Sequence, residues 1–150
     1  MISAVRKQRL AAGVTQAELA RRLGISQPAV ASMERASRTA NPETLRRVEN
    51  ALAGRPSDVL ARHQRQVLDL VAAHRGRRAF VFGSVARGED SLASDIDLIV
   101  DFAPQTNLLD HAALYGELSD LLAPYSVDLV SMAAVRSKHS ALVADMRELV

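Results

Sequence analysis

The chain contains no cysteine, which excludes disulfides, thiolate zinc sites and a cysteine nucleophile. No apolar run approaches the ~18–20 residues that a membrane-spanning helix needs. The opening Met-Ile-Ser-Ala-Val-Arg-Lys has no apolar segment of signal-peptide length. A cytoplasmic protein with no membrane partner is the expectation. Internal repeats and low-complexity tracts are missing as well. His63, His74, His111 and His139 are scattered and form no ligand set. What remains is 150 residues, 48% of them hydrophobic. That suffices for one ordinary domain or two small ones and is too apolar for wholesale disorder.

The net charge of +2 conceals an asymmetry. Residues 1–79 carry 15 Lys and Arg against 6 Asp and Glu, a net of +9; residues 80–150 carry 4 against 11, a net of −7. A basic half suits a polyanion such as DNA. An acidic half suits divalent cations or is simply solvated.

The first 54 residues read as four short helices. Ile2, Val5 and Leu10 are expected on one side of a helix that stops at Gly13. Thr15 with Glu18 three residues on forms a capping box for a second helix, apolar at Leu19, Ala20 and Leu23 and ended by Gly24. Ser26 caps a third helix, with Pro28 in its first turn and Ala29, Val30 and Met33 facing inward. Asn41-Pro42 opens a fourth, with Leu45, Val48 and Leu52 at helical spacing and Gly54 as its stop.

Gly54-Arg55-Pro56-Ser57 is the expected boundary, dividing the chain into residues 1–54 and 57–150. Ser57 is expected to cap a long helix reaching His74. Beyond it the pattern alternates: strands over 79–82, 96–100 and 127–130, a helix over 108–122, and a closing helix from about 135 to 147. The fold class is therefore an all-α helix-turn-helix bundle followed by a small α/β fold, a mixed sheet flanked by helices.

Helix, glycine turn and capped helix over Thr15–Arg35 make the helix-turn-helix pattern. The second helix presents its N-terminal side chains to the major groove, where Gln27 can read an adenine edge and Ser26 and Ser32 can reach bases or phosphates. Arg35, Arg38 and the Arg21-Arg22 pair neutralise backbone. The stretch TQAELARRLGISQPAVASMERASR resembles the phage-repressor type of helix-turn-helix domain, the XRE family, over residues 2–54. The resemblance places Gln16, Gln27 and Ser32 at DNA-facing positions and implies operator DNA as a partner.

In the second half, Phe82-Gly83-Ser84-Val85-Ala86-Arg87-Gly88 follows one strand and Ser94-Asp95-Ile96-Asp97 opens the next. Asp95 and Asp97 point one way from an extended chain, ~7 Å apart, where they can converge on hard cations. Gly83 permits close backbone approach to a nucleotide, Ser84 and the following turn can bind phosphate oxygens, and Arg87 can offset triphosphate charge. Asp128 on the later strand is the candidate third carboxylate, holding the catalytic metal and drawing the proton from the nucleophile.

FGSVARGEDSLASDIDLIV with the later SVDLV resembles the nucleotidyltransferase fold shared with DNA polymerase beta, in its minimal bacterial form, over residues ~59–150. The resemblance implies ATP as donor, two Mg²⁺ ions, and a macromolecular acceptor brought by a partner. In the minimal family that partner is a HEPN-type toxin, to which the transferase, as antitoxin, adds AMP at a tyrosine; a homodimer or a toxin hetero-oligomer is expected. Two other readings stay open. One is a DNA-binding regulator with a catalytically inactive second domain. The other is a nucleotidyltransferase acting on a small molecule or RNA.

Overall fold

The structure, a computed structural model, describes residues 2–35, 40–138 and 144–150. The chain divides into two compact units, Met1–Arg55 and Pro56–Val150. Among the described residues no helix is long and apolar enough to cross a membrane.

The first unit holds α1 (Ala4–Ala11), α2 (Gln16–Leu23), α3 (Gln27–Arg35) and α4 (Pro42–Ala53). Ser3, Thr15, Ser26 and Asn41 accept the amide protons of Arg6, Glu18, Ala29 and Thr44, so each of the four helices starts on a side-chain cap. Gly24 ends α2 in the left-handed region at φ 67°. Val5, Leu19, Ala20, Val30, Val48 and Ala51 form the core. The expected inner face of α1 is corrected: Ile2 is 61% and Leu10 53% exposed, and Val5 turns inward together with Arg9. The capping box at Thr15 is half made. Glu18 does not reach back but pairs with Arg21 at 2.6 Å and Arg22 at 2.8 Å, whose hydrogen bonds hold its carboxyl down at about 2.

The second unit runs α5 (Pro56–Ala73), β1 (Gly76–Phe82), α6 (Gly83–Arg87), β2 (Ile96–Phe102), α7 (Leu108–Leu121), β3 (Val127–Ser131), α8 (Met132–Lys138) and β4 (Arg147–Glu148). The sheet order is β3-β2-β1-β4. β1 pairs antiparallel with β2 and β4, and β2 pairs parallel with β3. The parallel step needs a crossover, which α7 supplies from a capping box between Asn107 and Asp110. Phe80, Phe82 and Ile99 pack on Met132 and Val135 of α8. The alternating residues Ala79, Val81, Leu98 and Val100 are buried too, on the face against which α5 packs. Central strands covered on both faces read as the apolar runs seen here.

Two boundary expectations are corrected. The closing helix starts earlier, at Met132, and Arg147–Glu148 is strand rather than helix. Leu149 N–H donates to Ala79 O at 2.9 Å, and Arg78 grips Glu148 with two bonds of 2.8 and 3.0 Å while lying over the Phe80 ring. Met146 and Leu149 have helical spacing, but the open edge of β1 claims the segment for the sheet. The long helix begins at Pro56, and the Ser57 amide is capped from outside by Asp90 instead of the Ser57 hydroxyl acting as cap.

Candidate functional site

The end of β1 and the starts of β2 and β3 meet at one end of the sheet. Phe82 lies opposite Asp97 across the antiparallel pair, and Asp97 lies opposite Asp128 across the parallel one. Strand register therefore brings two carboxylates side by side and sets the turn after Phe82 against them. Gly83 opens that turn at φ +69°, and a Cβ there would run into Asp97 Oδ2. Only glycine combines this backbone with this proximity. Val85 anchors α6 in the core, with Ser84 half-buried and Arg87 exposed. Asp95 is exposed and precedes β2, so the alternation of the strand does not by itself place it.

Asp97 is pushed up to about 6, first by burial, then by the charge of Asp128 and that of Asp95, with Arg87 pulling the other way. A half-buried carboxylate crowded by two others calls for positive charge, and an all-oxygen acidic donor set fits Mg²⁺. In chemistry the residues fit the divalent ions the sequence implies. Among the described residues, however, no three acidic or histidine side chains converge tightly enough to hold an ion as they stand. The register pair is set by the strands, and Asp95, from the loop just before β2, adds its charge to Asp97.

Arg87 is engaged by two carboxylates, Glu89 at 3.0 Å and Asp145 at 3.4 Å. Nothing in the sequence pattern singles out Asp145. Arg77 meets Asp101 at 3.3 Å and His74 meets Glu117 at 2.9 Å, both away from the register pair in sequence and role. Asp90, which sequence reasoning missed, is buried and accepts the Ser57 amide. The signal available was negative: no capping residue precedes Pro56.

In the first unit, Ser26, Gln27, Ser32 and Arg35 are exposed on α3 and the turn before it, while Gln16 is half-buried at the start of α2. Gln27 donates to Gln16 at 2.9 Å, and Gln16 donates to Glu34 at 2.7 Å. Arg9 holds Glu34 from below with Nε and Nη2, and its Nη1 donates to Val14 O at 2.8 Å. Arg38 lies outside the described residues. The structure thus joins Gln16 and Gln27 through contact and leaves Ser32 and Arg35 exposed on the same helix-turn-helix, while the exposed Ser26 hydroxyl accepts the Ala29 amide at 3.3 Å. The buried Arg9–Glu34 pair beneath them carried no sequence signal, since apolar residues are expected at inward helical positions.

Comparison with known proteins agrees with both halves. The helix-turn-helix family matches residues 5–59, and the family described as polymerase beta, nucleotidyltransferase matches residues 69–144. A "Putative protein adenylyltransferase" of Methanocaldococcus jannaschii is 35% identical over 72 residues, 48% of this chain and 76% of the relative. A second protein of that name and organism is 33% identical over 82 residues, 55% of this chain and 80% of the relative. A solved structure described as a putative minimal nucleotidyltransferase is 38% identical with a TM-score of 0.54, covering 61% of this chain and 93% of its own.

Proposed function

The chain belongs to the polymerase beta nucleotidyltransferase family, with a helix-turn-helix domain ahead of it, and we propose that it transfers AMP from ATP to a partner protein, a HEPN-type toxin, for which it is the antitoxin. Residues 57–150 are the transferase and residues 1–54 bind operator DNA. The observation that carries the transfer is the register pair Asp97–Asp128 beside the Cβ-less turn at Gly83. The name shared by the two archaeal relatives supports a protein acceptor.

Asp95, Asp97 and Asp128 would hold two Mg²⁺ ions, which when bound supply charge stabilisation to the reacting phosphate. The Gly83 turn lets backbone approach the triphosphate, with Ser84 beside it. Arg87 exchanges Glu89 and Asp145 for phosphate oxygens. Asp128 takes the proton from the acceptor hydroxyl as that oxygen bonds to the α-phosphorus and pyrophosphate departs. The buried apolar ends of β1 and β2 behind these carboxylates keep water from their rear.

The test is transfer of label from α-labelled ATP, with Mg²⁺, to the co-expressed product of the adjacent reading frame. Labelled partner with wild-type protein, and a loss of at least ~10³-fold in Asp97→Ala, is the expected result, since carboxylates acting as a unit are not individually dispensable. Full labelling by Asp97→Ala, or none by the wild-type protein, would sink the proposal.

A further inference from the structure

Among the described residues of the Pro56–Val150 unit, Asp90 is the one buried charge, 6% exposed. Its position follows from a deficiency elsewhere. Arg55 stands where α5 would carry Ser, Thr, Asp or Asn to accept a first-turn amide. Asp90 fills that place from another part of the chain, its Oδ2 accepting Ser57 N–H at 2.8 Å. The partial positive charge at the start of an 18-residue helix compensates the buried carboxylate. Its Oδ1 is buried with no hydrogen-bond partner, and its charge, after burial, helps push the Tyr125 hydroxyl up.

The loop between α6 and β2 is organised around this contact. Before it, Glu89 N–H donates to Ser84 O at 2.9 Å. After it, Ser91 and Ser94 close a turn, with Ser94 N–H to Ser91 O and Ser91 N–H to Ser94 Oγ both at 3.0 Å. Asp95 follows that turn directly, and Ile96 N–H then joins the sheet through Ser126 O at 2.9 Å. Asp95 is exposed, so its place depends on the backbone at the two ends of this short span. One end is β2; the other is the turn tied down by Asp90.

We infer that Asp90 is a positioning residue: it pins the loop to the first turn of α5 and so holds Asp95 beside Asp97 for the metal–nucleotide complex. This rests on the nucleotide-site reading above. Asp90 touches no reacting atom; it acts through the backbone of residues 91–95.

The experiment uses the full chain and three readouts: melting temperature, binding of Mg²⁺-ATP by calorimetry, and amide hydrogen exchange of residues 88–95 without metal. Asp90→Ala removes the acceptor, and Asp90→Asn keeps an oxygen for the Ser57 amide. We expect Asp90→Ala to weaken Mg²⁺-ATP binding by about tenfold and to speed exchange at 91–95 by at least that factor, with Asp90→Asn within about threefold of wild type in both, because a misplacement of ~1 Å is costly in a preorganised site. Should Asp90→Ala fail to fold, Asp90→Ser, which keeps a shorter acceptor, replaces it with the same expected direction. A lower melting temperature with unchanged binding and unchanged exchange at 91–95 would make Asp90 a helix cap alone and overturn the inference. Failure of the wild-type protein to bind Mg²⁺-ATP overturns the nucleotide-site reading, and the inference with it.

Discussion

Gln27 reaches the buried carboxylate of Glu34 through a single intermediary, Gln16. The exposed Gln27 side chain at the start of α3, proposed as a base reader, is thereby tied to the core of its unit without DNA. A side chain held in this way loses less freedom on binding than one that must be ordered at the groove.

Gln16→Ala cuts the tie and leaves Gln27 in place. We expect it to weaken binding to the protein's own promoter fragment by about tenfold, the scale of one good base contact, while binding to random DNA stays within about twofold. Gln27→Ala should do the same or more. Titration of both DNAs at matched salt measures it, and equal losses on the two DNAs would show that neither glutamine contributes to specificity.

Asp97 makes the fold less stable by being charged. Its carboxyl holds a proton more tightly in the folded chain, at about 6 against an ordinary 3.8, so folded-state stability declines as pH rises from about 4 to 6. After discounting for its partial exposure, Asp97→Asn should gain about 1 kcal/mol at pH 7 and nothing at pH 4. In metal-free buffer that is a rise of about 4 °C in melting temperature at pH 7. The same variant should lose the stabilisation that Mg²⁺ with ATP gives the wild-type protein.

Gly83→Ala meets two obstacles, a left-handed backbone and Asp97 Oδ2. We expect a loss of about 1–2 kcal/mol in stability from the backbone alone. Mg²⁺-ATP binding should fall further than stability, since the new methyl displaces a carboxylate of the site. An alanine variant that melts and binds like wild type would remove Gly83 from the site.

Arg9→Met leaves Glu34 buried without its cation and should cost the helix-turn-helix unit about 3–5 kcal/mol, whereas Arg9→Met with Glu34→Leu should recover most of it. The Arg9 hydrogen bond and charge hold the Glu34 carboxyl below its ordinary range. The stability they contribute is complete above the ordinary glutamate range and disappears as pH falls through the lowered value. Acid titration of the far-ultraviolet circular dichroism of wild type and double variant checks this; the double variant should lack the acid-sensitive component.

Local signals were legible wherever a residue acts on its own neighbours. Thr15, Ser26 and Asn41 sit at helix starts because their side chains bond amides three residues on. Asp97 and Asp128 stand out in the sequence because each interrupts a run of apolar strand residues, and the strand register then sets them opposite one another. What stayed hidden depends on distant partners. Arg9 and Glu34 occupy inward positions that helical periodicity reserves for apolar residues, and only their meeting makes those positions tolerable. Asp90 caps a helix that begins 34 residues earlier in the chain. Arg147–Glu148 is too short for strand periodicity and is defined by the β1 edge it covers.

The crowding of Asp97 by Asp128 has a consequence on the scale of generations. Substitutions that silence the site relieve repulsion, so drift away from catalysis runs downhill in folding free energy. A lineage in which transfer is no longer selected would keep a sound scaffold and an intact sheet while shedding its acids, and the DNA-binding half would continue undisturbed. In such a lineage Asp97 would be the first of the three to go, because it alone is half-buried and held up by its neighbours.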